Sequence, residues 1–156
     1  MSLAAVNLPK YCTVLNRGVC KLGTGASTVG ATALGIDGIA ADAKVCYTAG
    51  GYGGMCESLI ISINDTAAVN AFVYVLDSDA TTVHPLGICN IPINSGNLGT
   101  AYSVDAVNVL IGLPVNLVGR KYIPLKANQT IKIAVLAAMT VNKSLWASAS
   151  GVDFIA

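Results

Sequence analysis

Charge is what this sequence has least of. Asp, Glu, Lys and Arg make up 11% of its 156 residues, while 54% are apolar. An ordinary soluble domain carries roughly 25% charged residues. A lone monomer with so little charge has to face water with Ser, Thr, Asn, Gly and exposed apolar groups. Large exposed apolar patches mark contacts, so much of the surface is expected to be covered in an assembly. The nine basic residues are scattered, and only Arg120 and Lys121 are adjacent. Nucleic-acid binding needs a dense basic stripe, so no nucleic-acid partner is expected.

Long apolar runs are missing too. A membrane-spanning helix needs about 20 mostly apolar residues. The best run, Ile133 to Val141, is far shorter and strand-like. The uncharged stretch from Ala80 to Val104 is broken by Pro85 and Pro92. No membrane partner is expected. Residues 1–10 lack a charged segment followed by an apolar one, so no signal peptide is expected.

Histidine occurs once, as His84 before Pro85. A Ser-His-Asp or Cys-His device would have to use it, but no Gly-x-Ser-x-Gly elbow accompanies it. A structural His84 and a non-enzyme are expected. Asp77 and Asp79, two apart, are the best paired carboxylates. A calcium site needs six or more oxygens, and only Asp65 lies near in sequence. Asp-Ser-Asp-Ala-Thr-Thr reads as turn chemistry, so no metal is expected. Gly23–Gly25 and Gly50–Gly54 lack the helix and the Lys-Ser/Thr of a phosphate loop, so no cofactor is expected. No catalytic, cofactor-binding or metal-ligating residue is assigned.

The five cysteines, Cys12, Cys20, Cys46, Cys56 and Cys89, are odd in number and follow no metal spacing. Mostly buried free thiols fit a reducing cytosol. One disulfide, Cys12 with Cys20 or Cys46 with Cys56, stays open.

What is present is strand signal. Lys44–Thr48 reads as a strand. In Glu57–Asn64, Leu59, Ile61 and Ile63 fall on one face and Ser58, Ser62 and Asn64 on the other, the period-two pattern of a half-buried strand. Ala71–Leu76 is apolar on both faces, as a central strand is. Val83–Ile93 carries Pro85 and Pro92, which suits an edge or a bulge. Lys121–Leu125 and Thr130–Ala137 follow, the latter with Ile131, Ile133 and Val135 on one side. A last strand runs from Ser144 towards Phe154, bent at Gly151. Tyr102–Ile111 is the one helix candidate, capped by Ser103. About eight short strands predict a single all-β domain, an antiparallel β-sandwich of jelly-roll type with at most one short helix. Residues 1–43 read as a flexible N-terminal arm and a Gly/Ala-rich loop, with Tyr11–Leu15 as an edge-strand candidate. Residues 44–156 form the core.

Tyr47, Tyr52, Tyr74, Tyr102, Tyr122 and Trp146 could line a sugar-binding face, the alternative function. That reading requires Tyr52, Tyr122 and Trp146 to meet on one exposed surface. Their spread along the chain favours core and interface packing.

Five stretches then stand out together: Phe72-Val-Tyr-Val-Leu76 with Asp77-Ser-Asp79, Val104-Asp-Ala-Val-Asn-Val-Leu110, Leu113-Pro114, Lys121 through Val135, and Val141-Asn-Lys-Ser-Leu-Trp146 with Gly151-Val-Asp-Phe154. With this order of strands and turns, residues 57–156 resemble the small head-associated decoration, or cement, proteins of tailed bacteriophages. The segment before Lys44 and the cysteines have no counterpart there. The resemblance implies a homotrimer or other small ring, made in the host cytoplasm and placed on the capsid exterior. Its partner would be the major capsid protein, whose subunits it would clamp against internal pressure.

Overall fold

The computed structural model describes residues 12–22, 43–96, 101–136, 139–140 and 142–155. The proposed flexible arm at residues 1–11 and the Gly/Ala-rich loop at 23–42 lie outside them. The strands are β1 (Cys12–Leu22), β2 (Lys44–Thr48), β3 (Gly54–Ile63), β4 (Val69–Leu76), β5 (Val83–Ile91), β6 (Val104–Asp105), β7 (Ile123–Leu125), β8 (Thr130–Val135) and β9 (Leu145–Ile155). One short helix, α1 (Ala106–Val109), follows β6.

The strands divide between two antiparallel sheets. One runs β1-β9-β3-β6, with β7 also on β3; the other runs β2-β8-β4-β5. Apart from β4 with β5 and β6 with β7, successive strands cross between the sheets, which is the jelly-roll arrangement expected from the strand count. The alternation in β3 is realised: Leu59, Ile61 and Ile63 are fully buried between the sheets. Ile131, Ile133 and Val135 of β8 meet them from the other side with Ala71, Val73 and Val75 of β4. The opposite face of β4 is also covered, where Tyr74, Leu76 and Ala134 form a second buried cluster. Its dual apolar character is that of an interior strand. Pro85 sits on the edge strand β5, opposite a register shift between Val73 and Tyr74, where a missing N–H costs no ladder bond.

The core begins earlier than residue 44. The edge strand expected at Tyr11–Leu15 forms and runs further, as β1 pairs with β9 from Cys12↔Ile155 to Leu22↔Leu145. The helix is shorter than Tyr102–Ile111 and its cap differs. Asp105, not Ser103, accepts the Val107 N–H at 3.2 Å, because the Ser103 hydroxyl is bonded to Ser62 at 2.8 Å. Gly151 marks the bend in β9. A methyl group there would run into the Met55 carbonyl oxygen, beside the register shift between Cys56 and Ser58.

Neither disulfide pairing left open by the sequence forms. Cys20 is bonded to Cys46, with Cα atoms 4.9 Å apart, and Cys56 and Cys89 are free and buried. The reason is topological. β1 and β2 are edge strands of different sheets that meet at one corner, while Cys46 and Cys56 belong to opposite sheets.

Asp65 ties the loops at the far end. Burial alone would raise its pKa, but the Thr140 hydroxyl, the Thr140 N–H and the Ala67 N–H all donate to it and hold it below the usual carboxylate range.

Reducing the Cys20–Cys46 bond is expected to lower stability by about 2–4 kcal/mol without loss of β-structure. Urea unfolding with and without reductant, followed by far-ultraviolet circular dichroism, measures this. Coincident curves would show that the bond contributes nothing.

Candidate assembly surface

The segment between α1 and β7 leaves several apolar side chains in water, as the outward face of β1 does with Val14, Leu15 and Val19. After α1, Ile111 is 91% exposed. Gly112 then turns the chain with φ +79°, and Leu113 packs back on the core. A small hairpin follows, closed by a bridge between Val115 and Lys121. The Asn116 N–H donates to the Arg120 carbonyl at 2.8 Å, and the Gly119 N–H to the Asn116 carbonyl at 2.9 Å. The Asn116 side-chain oxygen accepts from the N–H groups of Val118 at 3.1 Å and Arg120 at 2.9 Å. Gly119 adopts φ +79° to complete the turn, a conformation natural to glycine.

These polar bonds hold the tip without help from its side chains. Leu117 is therefore wholly exposed and Val118 78% exposed, with Val115 exposed beside them. Lys121 fixes the base: its ammonium donates to the carbonyls of Asn108 at 3.0 Å and Leu110 at 2.8 Å. A cation suits the end of a helix, where carbonyls lack partners.

At that base lies an open cleft of about 690 Å³. Met55, Leu86, Leu113, Tyr122, Pro124 and Phe154 line it, with Lys126, Gln129 and His84 among its polar members. It opens between β7 on one sheet and β5 on the other. Beside it, Asp77 accepts from the Gln129 amide and pairs with His84 Nε2 at 3.1 Å. These two hydrogen bonds, Gln129 first, hold the Asp77 carboxyl below its usual range.

His84 thus has a carboxylate partner. No Ser, Thr or Cys side chain hydrogen-bonds it among the described residues. Burial, chiefly, pushes the Cys56 thiol up to about 12 and the Cys89 thiol up to about 11, so both stay protonated at neutral pH. Asp79 is not paired with Asp77 around a common point. Its oxygens accept from the Thr82 hydroxyl at 2.6 Å and from the N–H groups of Thr81 and Thr82 at 2.8 Å each, the turn chemistry of its sequence.

The aromatic residues do not converge. Tyr47 and Tyr74 are buried. Trp146 lies opposite Ser62 on β3, with the Lys21 ammonium 5.5 Å from its ring. Tyr122 precedes Ile123, which lies opposite Cys56 on the same strand. Six residues of strand, roughly 20 Å, separate the two, and Tyr52 lies beyond the Cys56 end. The required common surface is not formed.

The hairpin was not picked out as a surface feature from the sequence. Its signal was Asn116-Leu117-Val118-Gly119, a turn-forming pair enclosing two apolar residues that have no strand to belong to.

No family model matches the chain, and no curated protein matches it. Among solved structures it is similar to a chain described as "Cyanophage Pam1 capsid asymmetric unit", at 13% identity and a TM-score of 0.44, over 98% of this chain and 94% of that one.

Replacing Lys121 by Met keeps the aliphatic stem and removes the bonds to Asn108 and Leu110. The expected cost is about 1–2 kcal/mol, read from the midpoint of chemical unfolding. An unchanged midpoint would mean that the ammonium does not hold the hairpin base.

Proposed function

We propose that this chain is a non-catalytic structural protein of a virion, which decorates and stabilises a phage capsid by oligomerising and bridging neighbouring capsid subunits. The observation that carries the reading is a hydrogen-bonded hairpin exposing Val115, Leu117 and Val118, with Ile111 exposed just before it, beside an apolar cleft, on a chain with 11% charged residues. The buried core is complete without those side chains. Contact surfaces need such groups, because their centres are depleted of charge.

The jelly roll serves capsid proteins and lectins alike, and fold alone assigns no function. The resemblance of residues 57–156 to decoration proteins favours the capsid. The separation of Tyr122 from Trp146 along β3 speaks against a stacked sugar platform. The disulfide fits a chain made reduced in the host cytoplasm and oxidised on the outside of a released particle. Many identical copies, each adding one modest contact, stabilise a shell through multivalency.

Light scattering coupled to size exclusion gives the first test, with a closed ring, a trimer, as the expected mass. Co-sedimentation with shells of the major capsid protein gives the second. A chain that stays monomeric at high concentration and does not sediment with shells would defeat the reading.

A further inference from the structure

We infer that the hairpin tip of one copy inserts into the cleft of the next, so that the chain associates with itself head to tail. This deepens the assembly reading above and rests on it. Tip and cleft cannot meet within one molecule: Pro114 and Tyr122, at the base of the hairpin, are themselves walls of the cleft, and Leu117 and Val118 stand in solvent. A second copy of the chain carries the matching part.

Three observations fit the tip to the cleft. The first is preorganisation. The turn is held by the Asn116 side chain and by Gly119, so little conformational freedom is lost when it docks. The second is size. A volume of about 690 Å³ lies in the range that takes a compact group of several residues' size, not one methyl. The third is charge. Arg120 flanks the tip and has no carboxylate partner among the described residues, where the one ion pair is His84–Asp77. Asp77, with Asp79 two residues on, sits beside the cleft. The cleft's own charged lining is Lys126, with His84 against Asp77, so docking Leu117 and Val118 among Met55, Leu86 and Pro124 has to set the Arg120 guanidinium on the Asp77 side. Because tip and cleft are different patches, the contact is heterologous, and it closes into a ring when the rotation allows.

The test uses two variants of the full chain. Leu117→Asp spoils the tip, which packs on nothing in its own molecule. Pro124→Asp spoils the cleft at an exposed wall; Met55→Glu replaces it if circular dichroism shows that it does not fold. Each alone is expected to weaken self-association at least about thirtyfold, as loss of a central apolar anchor does, with unchanged far-ultraviolet circular dichroism. Mixed, the two are expected to form a one-to-one complex by light scattering, because one intact tip and one intact cleft remain. Either variant assembling like the parent overturns the inference and leaves the assembly reading standing. So does a mixture that stays monomeric, since tip and cleft would then contact something other than each other. A parent chain that is monomeric at every concentration removes both.

Discussion

The two sheets come into backbone contact at the corner where β1 passes over β2, and the sandwich depends on it. Residue 18 must be glycine there, because a methyl group would collide with the Cys46 carbonyl oxygen. The neighbouring inward positions of β1 are fastened to the same place. Cys20 is bonded to Cys46, and the Asn16 amide donates to the Thr48 carbonyl and to Asp153, each at 2.7 Å. From the other sheet, the Tyr47 hydroxyl donates to Asp153 at 3.2 Å. Burial, with that carboxylate beside it, raises the phenol well above its ordinary pKa. With the corner sealed, β9 is pinned between β1 and β3, and the apolar faces of both sheets are shut from water on that side.

The opposite side is closed less completely. β7 reaches β3 over only three residue pairs, and β5 faces it across the cleft. The fold therefore has one sealed edge and one open one, and the exposed hairpin stands at the open one. The outer face of the first sheet mixes hydroxyls, aliphatic groups and cations: Ser148 and Ser150 alternate along β9 beside Val19 and Arg17 of β1, with Lys21 opposite Trp146.

How far this was legible in the sequence depended on whether a side chain's partner was local. β3 and β8 are legible because Leu59, Ile61 and Ile63, like Ile131, Ile133 and Val135, keep period two; Ser62, Lys132 and Ala134 fall between them, and Ile60 breaks the alternation. Pro85 correctly marked an edge. β1 carries only a weak signal, an arm or an edge strand at Tyr11–Leu15, because its pattern is inverted; the edge strand is what forms, over Cys12–Leu22. Asn16 and Gly18 point inward to serve the corner, while Leu15 and Val19 point out, so the apolar stripe that identifies a half-buried strand is missing. The disulfide was illegible for a related reason. Cys20 and Cys46 are brought together by the crossing of two sheets, which spacing does not encode. The helix was overextended because Val104, Val107 and Ile111 fit a helical face, yet Val104 pairs with Ile61 as a strand and Ile111 faces water. The hairpin lay in a stretch with neither period, where only its turn residues gave a signal.

The central claim is that the apolar hairpin and cleft exist to be covered by protein. Amide hydrogen exchange, followed across the concentration range in which the chain associates, locates that cover directly. The account predicts that exchange slows in residues 114–122 and in β7 as the mass rises, while β4 and β8 are unchanged. An assembly that forms with exchange in the hairpin and β7 left as fast as in the monomer would contradict it.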